Sequence, residues 1–196
     1  MANPVQTAIQ NLESGKIVGL PTETVYGLAV DAMNRKAVQW LHEVKGRPAN
    51  KPLQIMVEDL EAAEKLAVFD DRARRIAKSF WPGPLTLILP RQEECRLPEE
   101  ISGGKPNLGI RIPDQPLMQE VLRLFARPIV VTSANPAGQA PANEAAVAEA
   151  MMGGNVGYYL YGFAGVGLAS TVADLTGREI KILREGAITL AQLQGV

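Results

Sequence analysis

The chain has 196 residues, 46% hydrophobic and 21% charged, which predicts one domain over residues 1–196. Its formal net charge of −1 excludes a protein that coats nucleic acid through an overall basic surface, so any anion site must be a local concentration of positive charge. One cysteine excludes an internal disulfide, and no apolar run approaches the roughly 20 residues that cross a bilayer, so we expect a cytoplasmic protein without a membrane contact.

Helical and extended patterns alternate from the N-terminus onward. Val5, Ile9 and Leu12 lie at helical spacing, and Gly15 ends this helix before an apolar strand at 17–20. The patterns that follow predict, in order, a helix through 38–44, a strand at 53–57, a helix at 58–67, a helix through 72–78, a turn at 81–84 and a strand at 85–89.

The second half begins with an irregular connection at 91–107, which is rich in Glu, Gly and Pro. The predicted elements after it are a strand at 108–112, a helix at about 114–126, a strand at 129–132, a helix at about 143–152 and strands at 156–160, 171–175 and 179–183. This alternation predicts a single-domain α/β fold in which helices flank a twisted sheet of mixed parallel and antiparallel strands.

The densest positive charge lies in the loop 45–52, which reads Lys-Gly-Arg-Pro-Ala-Asn-Lys-Pro. Two prolines and a glycine keep this backbone out of helix and sheet, and fixed donors lose less entropy on binding than donors on a floppy loop. Arg47 can grip two oxygens through its planar fork, whereas Lys45 and Lys51 act as point charges. Taken alone, the loop is either a basic surface loop or a site for several anionic oxygens.

Further polar residues stand at predicted strand ends and in tight turns. The turn 21–27 offers hydroxyls, a carboxylate and a phenol, and Arg111 interrupts an apolar strand, where an arginine usually requires a fixed anion. Ser133 and Asn135 follow the strand at 129–132, at the kind of edge where α/β sheets bind ligands, although turn chemistry alone favours these residues too. Arg184 closes the last strand. Together these residues favour a ligand site.

Several common catalytic motifs are missing from the sequence. Gly103-Gly104-Lys105 precedes a proline where a Walker A loop needs Ser or Thr, and the glycines at 165 and 167 lack the third glycine of a dinucleotide fingerprint, so we expect a flexible loop there. The single histidine, His42, is expected at a surface or half-buried position of a helix, and Cys95 lies among charged residues in a loop. The sequence therefore predicts no covalent catalysis by a triad.

Seven segments match one known family and cover almost the whole chain. They are PTETVYGL from Pro21, KGRPANKPL from Lys45, FWPGPLTLIL from Phe80, LGIRIP from Leu108, TSAN from Thr132, STVADL from Ser170 and ILREG from Ile182. In these segments the chain resembles the YrdC-like threonylcarbamoyl-AMP synthases, in their single-domain form. The resemblance implies a YrdC-like fold with a concave, cationic ligand cavity.

The resemblance also implies a reaction. L-Threonine, bicarbonate and ATP would give threonylcarbamoyl-AMP and diphosphate, which makes the chain a nucleotidyltransferase for the threonylcarbamoyladenosine modification of tRNA. It implies Mg²⁺ carried with ATP rather than a protein-bound metal, since no carboxylate cluster stands out in the sequence. It further implies a downstream tRNA threonylcarbamoyl transferase complex as partner and allows a weak direct contact with tRNA.

Residue roles carry over position by position. The resemblance and the charge of the loop assign catalysis to Lys45 and Arg47. The ATP-binding positions are Arg47, Lys51, Asn107, Ser133, Asn135, Pro141 and Arg184. The threonine-binding positions are Thr24, Met56, Arg111, Val131 and Ser170. Departures from the family pattern are Met56 in place of histidine, Val131 in place of alanine and Asn107 in place of a small hydroxyl residue.

Two alternatives stay open at this point. The cationic loop and a helix with Arg72, Arg74, Arg75 and Lys78 would also suit an RNA-binding module in tRNA or rRNA maturation without adenylation activity. A carbamoyl-transfer domain of the hydrogenase-maturation kind would share the fold, although its acylphosphatase and zinc-binding regions have no counterpart here. Salt-dependent RNA binding without ATP turnover would identify the first, and a requirement for carbamoyl phosphate the second.

Overall fold

A computed structural model describes residues 3–165 and 168–196, so the predicted loop at Val166 and Gly167 lies outside the described residues. The helices are α1 Pro4–Glu13, α2 Arg35–Val44, α3 Leu60–Glu64, α4 Asp71–Phe80, α5 Glu99–Ser102, α6 Pro116–Phe125, α7 Ala145–Met152 and α8 Leu190–Gln194, with a 3₁₀ turn at Gly153–Asn155. The strands are β1 Val18–Leu20, β2 Gly27–Asp31, β3 Gln54–Met56, β4 Leu85–Pro90, β5 Asn107–Arg111, β6 Ile129–Ser133, β7 Tyr158–Tyr159, β8 Thr171–Asp174 and β9 Lys181–Arg184.

The strands form one mixed sheet in the order β7-β1-β2-β6-β3-β5-β4-β8-β9. The pairs β1–β7, β3–β5 and β4–β8 are parallel, and the other neighbours are antiparallel. This arrangement confirms the predicted α/β fold with a mixed sheet. Its register places Met56 of β3 beside Arg111 of β5, and Ser133 of β6 beside Gly27 of β2.

Apolar side chains alternate between two cores, one on each face of the sheet. Leu28, Val30 and Ile55 belong to the larger core, whereas Ala29 and Met56 point into the smaller one beneath α1 and α6. Because successive residues of a strand point to opposite faces, this alternation requires helices on both sides of the sheet. The helices thereby leave the strand ends as the place where polar side chains can gather.

Polar side chains cap the N-termini of the principal helices. Asn3 caps α1, Asn34 caps α2 and Asp70 caps α4, each accepting a hydrogen bond from a backbone N–H of the first turn. Gln115 does the same for α6, whose first residue is a proline. The apolar spacing alone did not fix these helix starts, which the caps determine.

The structure corrects several local predictions. Strand β2 was missed, although all five of its residues are buried, because it starts at the glycine that ends the 21–27 turn. The predicted irregular connection contains the short helix α5, the C-terminal helix α8 was not predicted, and the helix expected at 58–67 is only α3. His42 is 5% exposed and so more buried than the surface or half-buried position expected for it. Cys95 lies in a loop as predicted and is 7% exposed.

None of the helices in the described residues is long and apolar enough to cross a membrane.

Candidate active site

A cavity of about 570 Å³ opens where the 22–27 turn, the cationic loop and the ends of β5 and β6 meet. Most of the predicted site residues line it. They are Thr24, Arg47, Met56, Arg111, Val131, Ser133, Asn135, Pro141, Ser170 and Arg184. The strand order explains this gathering, because β6, β3 and β5 are adjacent in the sheet although they are far apart in the sequence.

Arg111 is the most buried cation of the cavity, with 2% of its surface exposed. Its Nε donates to the carbonyl oxygen of Gly83 at 3.0 Å, and its Nη1 donates to Thr24 Oγ1 at 3.1 Å. Its Nη2 lies 2.5 Å from Oε1 of Glu23 in an ion pair. Burial lowers the pKa of the Arg111 guanidinium, and the negative charge of Glu23 opposes that shift. The guanidinium is therefore held in one orientation at the cavity wall.

Arg184 and Ser170 form a second fixed group. Nε of Arg184 donates to the carbonyl oxygen of Ser170 at 2.9 Å, and Nη2 donates to its Oγ at 2.8 Å. That hydroxyl also lies 2.9 Å from Oγ1 of Thr86, a lining residue that sequence reasoning missed. Burial lowers the pKa of Arg184, and the positive charges of Arg111 and Arg47 lower it further. The three guanidinium groups thus face a common space.

Arg47 joins the cavity from the cationic loop. Its Nη2 donates to the carbonyl oxygen of Pro52 at 2.6 Å, within the same loop. Burial lowers the pKa of this guanidinium as well. Nε donates to the carbonyl oxygen of Lys51 at 3.4 Å, so the loop holds one edge of the planar group. The Nη1 donors on the other edge make no hydrogen bond within the described residues and could meet an anionic ligand.

Lys45 has a different position from the one its role in phosphate binding implies. It does not line the cavity, and Nζ donates to the carbonyl oxygen of Ser133 at 2.6 Å, to Oδ1 of Asn135 at 3.1 Å and to the carbonyl oxygen of Asn135. An ammonium group has three N–H donors, so these acceptors use all of them. In this structure Lys45 ties the end of α2 to the Ser-x-Asn turn and does not present its charge to the cavity.

Two other predicted ATP-binding residues lie outside the cavity lining. Lys51 is an exposed residue of the cationic loop. Asn107 is half-buried at the start of β5, where it pairs with Pro90. Their predicted contacts with ATP remain predictions.

Lys105 is a lining cation that sequence reasoning did not assign to the site. It follows two glycines with positive φ, Gly103 at +62° and Gly104 at +77°, which turn the chain before β5. A Cβ on Gly103 would lie 2.4 Å from the carbonyl oxygen of Asn50, so this turn packs directly on the cationic loop. The Gly-Gly-Lys sequence was the available signal, but it was tested only as a Walker A loop.

The charge of the cavity has one sign. Arg47, Lys105, Arg111 and Arg184 line it, and no Asp or Glu does so among the residues that the structure describes. Nor does the described part of the chain hold a cluster of three His, Cys, Asp or Glu residues that could bind a metal ion. The lining therefore suits anionic groups and does not fit a metal ion held by the protein alone.

Known proteins resemble this chain along almost its whole length. A model of the Sua5/YciO/YrdC domain family, described as "Telomere recombination", matches residues 10–186. The chain belongs to the Sua5/YciO/YrdC family. A threonylcarbamoyl-AMP synthase of Pyrococcus abyssi is 38% identical over 98% of this chain and 56% of its own length. A putative threonylcarbamoyl-AMP synthase of Methanocaldococcus jannaschii is 35% identical over 92% of this chain and 84% of its own length.

The same family likeness holds in three dimensions. The crystal structure of P. abyssi Sua5 complexed with L-threonine superposes with a TM-score of 0.93 and 35% sequence identity. It covers all of this chain, and this chain covers 58% of Sua5. The chain thus spans little more than half the length of the P. abyssi relatives and shares the fold of that part.

Proposed function

We propose that this protein is a threonylcarbamoyl-AMP synthase, which condenses L-threonine, bicarbonate and ATP to threonylcarbamoyl-AMP and diphosphate. The observation that carries the proposal is the convergence of Arg47, Arg111 and Arg184 on a cavity whose described lining has no carboxylate. Curated relatives with this name align along nearly the whole chain. The cavity of about 570 Å³ is also in the usual range for ligand sites, roughly 300–1,000 Å³.

The proposed reaction brings negative charges together. The neutral amine of threonine attacks the carbon of bicarbonate, the N–C bond forms as a C–O bond breaks, and water leaves to give a carbamate. A carbamate oxygen then attacks the α-phosphorus of ATP. The new oxygen–phosphorus bond forms as the bond to the bridging oxygen breaks, and diphosphate leaves with that electron pair. Fixed cations favour such a step because they stabilise the charge that develops and require no reorganisation. No protein nucleophile is needed.

The lining residues divide naturally between the two substrates. Arg111, with Thr24 beside it, would bind the threonine carboxylate, and Ser170, Met56 and Val131 would contact the rest of the amino acid. The triphosphate would lie against a second set of residues, namely Arg47, Lys105, Ser133, Asn135, Pro141 and Arg184. Magnesium would enter on the triphosphate, since no carboxylate lines the cavity within residues 3–165 and 168–196. A separate transferase would then move the threonylcarbamoyl group to tRNA.

Diphosphate release from ATP and magnesium tests the proposal, with threonine and bicarbonate omitted in turn. We expect release only when both are present, together with a threonylcarbamoyl-AMP product identified by mass. Release that needs neither substrate would contradict the proposal and indicate an unspecific ATPase. A requirement for carbamoyl phosphate would identify the hydrogenase-maturation type of chemistry. Salt-sensitive tRNA binding without diphosphate release would favour the RNA-binding module.

A further inference from the structure

The carboxylate of Glu23 forms an ion pair with Arg111. Oε1 of Glu23 is 2.5 Å from Nη2 of Arg111. Glu23 is not one of the residues that line the cavity. The side chain is 17% exposed and that of Arg111 is 2% exposed, so the pair is largely shielded from water. The proposed reaction does not otherwise use this carboxylate.

The two carboxylate oxygens of Glu23 are buried and have no hydrogen-bond partner within residues 3–165 and 168–196. A buried charge without such partners is unfavourable unless an opposite charge compensates it. For Glu23 the described compensation is the Arg111 guanidinium alone. The carboxylate is therefore stable at this position only while Arg111 stays charged and in place.

The backbone holds Glu23 in position from the opposite side. The N–H of Gly165 donates to the carbonyl oxygen of Thr22 at 2.9 Å. A Cβ on Gly165 would lie 1.6 Å from the carbonyl oxygen of Glu23, so only glycine permits this approach. The Glu23 side chain thus starts from a backbone fixed on both sides, and its contact with Arg111 is built into the fold.

We propose that Glu23 is a positioning residue that holds the Arg111 guanidinium against the cavity wall for the α-carboxylate of the amino-acid substrate. This inference rests on the proposed function. The ion pair with Glu23 holds Nη2, the hydrogen bonds to Gly83 and Thr24 hold Nε and Nη1, and Arg111 itself lines the cavity. The substrate carboxylate then completes an acid–arginine–acid arrangement in which the guanidinium is already oriented before binding.

Substrate dependence in a double-mutant cycle tests this role. We expect Glu23→Ala to raise the KM for threonine about tenfold, with the KM for ATP changed less than about twofold. Glu23→Gln keeps the size and one acceptor oxygen and should fall between the wild type and Glu23→Ala. In a variant that already carries Arg111→Ala, Glu23→Ala should raise the KM for threonine by less than a further factor of about two, because Glu23 acts through Arg111. Glu13→Ala, on an exposed glutamate of α1, is the matched control.

A second readout separates the inference from the proposed function. The Arg111 Nε–H, which donates to Gly83, should give a protected NMR signal that exchanges faster in Glu23→Ala and Glu23→Gln. Any of three results would overturn the role of Glu23. The first is an unchanged Nε–H signal and the second is an unchanged KM for threonine. The third is a double variant in which the two single effects on the KM for threonine multiply in full. If the wild type shows no threonine-dependent release, the proposed function fails, and the NMR signal still decides whether Glu23 orients Arg111. Thermal unfolding of Glu23→Gln checks that the fold is retained.

Discussion

At the residue scale, Lys45 and Arg47 have different environments although they are two positions apart. Lys45 is 5% exposed and gives its three donors to oxygens of Ser133 and Asn135. Arg47 lines the cavity and keeps donors available. The Lys-x-Arg signature therefore combines one residue that joins two loops with one that would meet the phosphates. The two should respond differently to substitution.

Arg47→Ala should reduce kcat/KM for ATP while the protein stays folded. Loss of a charge-assisted hydrogen bond typically costs about 1.5–3 kcal/mol, so we expect a decrease of roughly ten- to hundredfold. Steady-state diphosphate release at varied ATP concentration measures kcat/KM for ATP. Lys36→Ala, on the exposed side of α2, is the matched control. Normal kinetics in a folded Arg47→Ala variant would remove Arg47 from the proposed phosphate site.

Lys45 should titrate well below an ordinary lysine. Burial, and after it the charge of Arg47, lowers the pKa of Lys45 to about 8. The ammonium form therefore prevails at neutral pH, and above about pH 8 the neutral amine increasingly replaces it at the Ser-x-Asn turn. NMR of lysines labelled at Cε should show one signal with a midpoint near 8 that is absent from Lys45→Met. If every lysine signal titrated near the ordinary value of about 10.4, this expectation would be wrong.

At the element scale, the cationic loop takes its position from the turn that follows α5. The N–H of Leu53 donates to the carbonyl oxygen of Ile101 at 2.8 Å, and Gly103 packs against Asn50. This contact brings Lys105 to the same cavity as Arg47. The position of the charges proposed to bind phosphate thus depends on a glycine turn about fifty residues further along the chain.

Two neighbouring glycines separate the effect of backbone conformation from that of packing. Gly103 and Gly104 both have positive φ, so alanine at either position should cost roughly 1–2 kcal/mol. A Cβ on Gly104 meets nothing within 4 Å, whereas one on Gly103 would lie 2.4 Å from the carbonyl oxygen of Asn50. Gly103→Ala should therefore lower the free energy of unfolding more than Gly104→Ala does, and it should also raise the KM for ATP.

Chemical denaturation and ATP kinetics of the two variants measure this difference. Gly104→Ala serves as the control that carries the conformational cost alone. Equal effects of the two substitutions on stability and on the KM for ATP would indicate that the turn does not position the cationic loop.

At the scale of the whole molecule, charge is separated within a nearly neutral chain. The formal net charge is −1, yet the cavity is lined by Arg47, Lys105, Arg111 and Arg184, with no carboxylate among the described lining residues. Concave sites with charge of one sign concentrate field lines and attract oppositely charged ligands. The long-range attraction should therefore act on ATP and only weakly on zwitterionic threonine.

Ionic strength should separate the two substrates. Raising the salt concentration from about 0.05 M to about 0.5 M shortens the Debye length, so we expect the KM for ATP to rise several-fold and the KM for threonine to change less. Diphosphate release at varied substrate and salt measures both constants. Equal salt dependence for the two substrates would contradict a cavity that is selective for polyanions.

Most of the fold and most of the residues at the candidate site could be predicted from the sequence. The predictions were wrong for one strand and for the burial of individual side chains. Apolar periodicity is a local signal, so the principal helices were predicted near their observed positions. Strand β2 was missed because a glycine at its start resembles the end of a turn. His42 was placed too near the surface because polar neighbours in sequence do not determine which side of an element is covered.

The sequence by itself determined the α/β alternation, the family and the residue types that gather at the cavity, because these are local or recur along the chain. Only the tertiary structure decided which cations face the cavity. Lys45 reaches Asn135 across 90 positions, and Arg111 reaches Thr24 across 87. The partner Glu23 and the extra cation Lys105 follow from contacts of the same kind. Such pairings depend on strand order and side-chain burial, which a linear pattern does not specify.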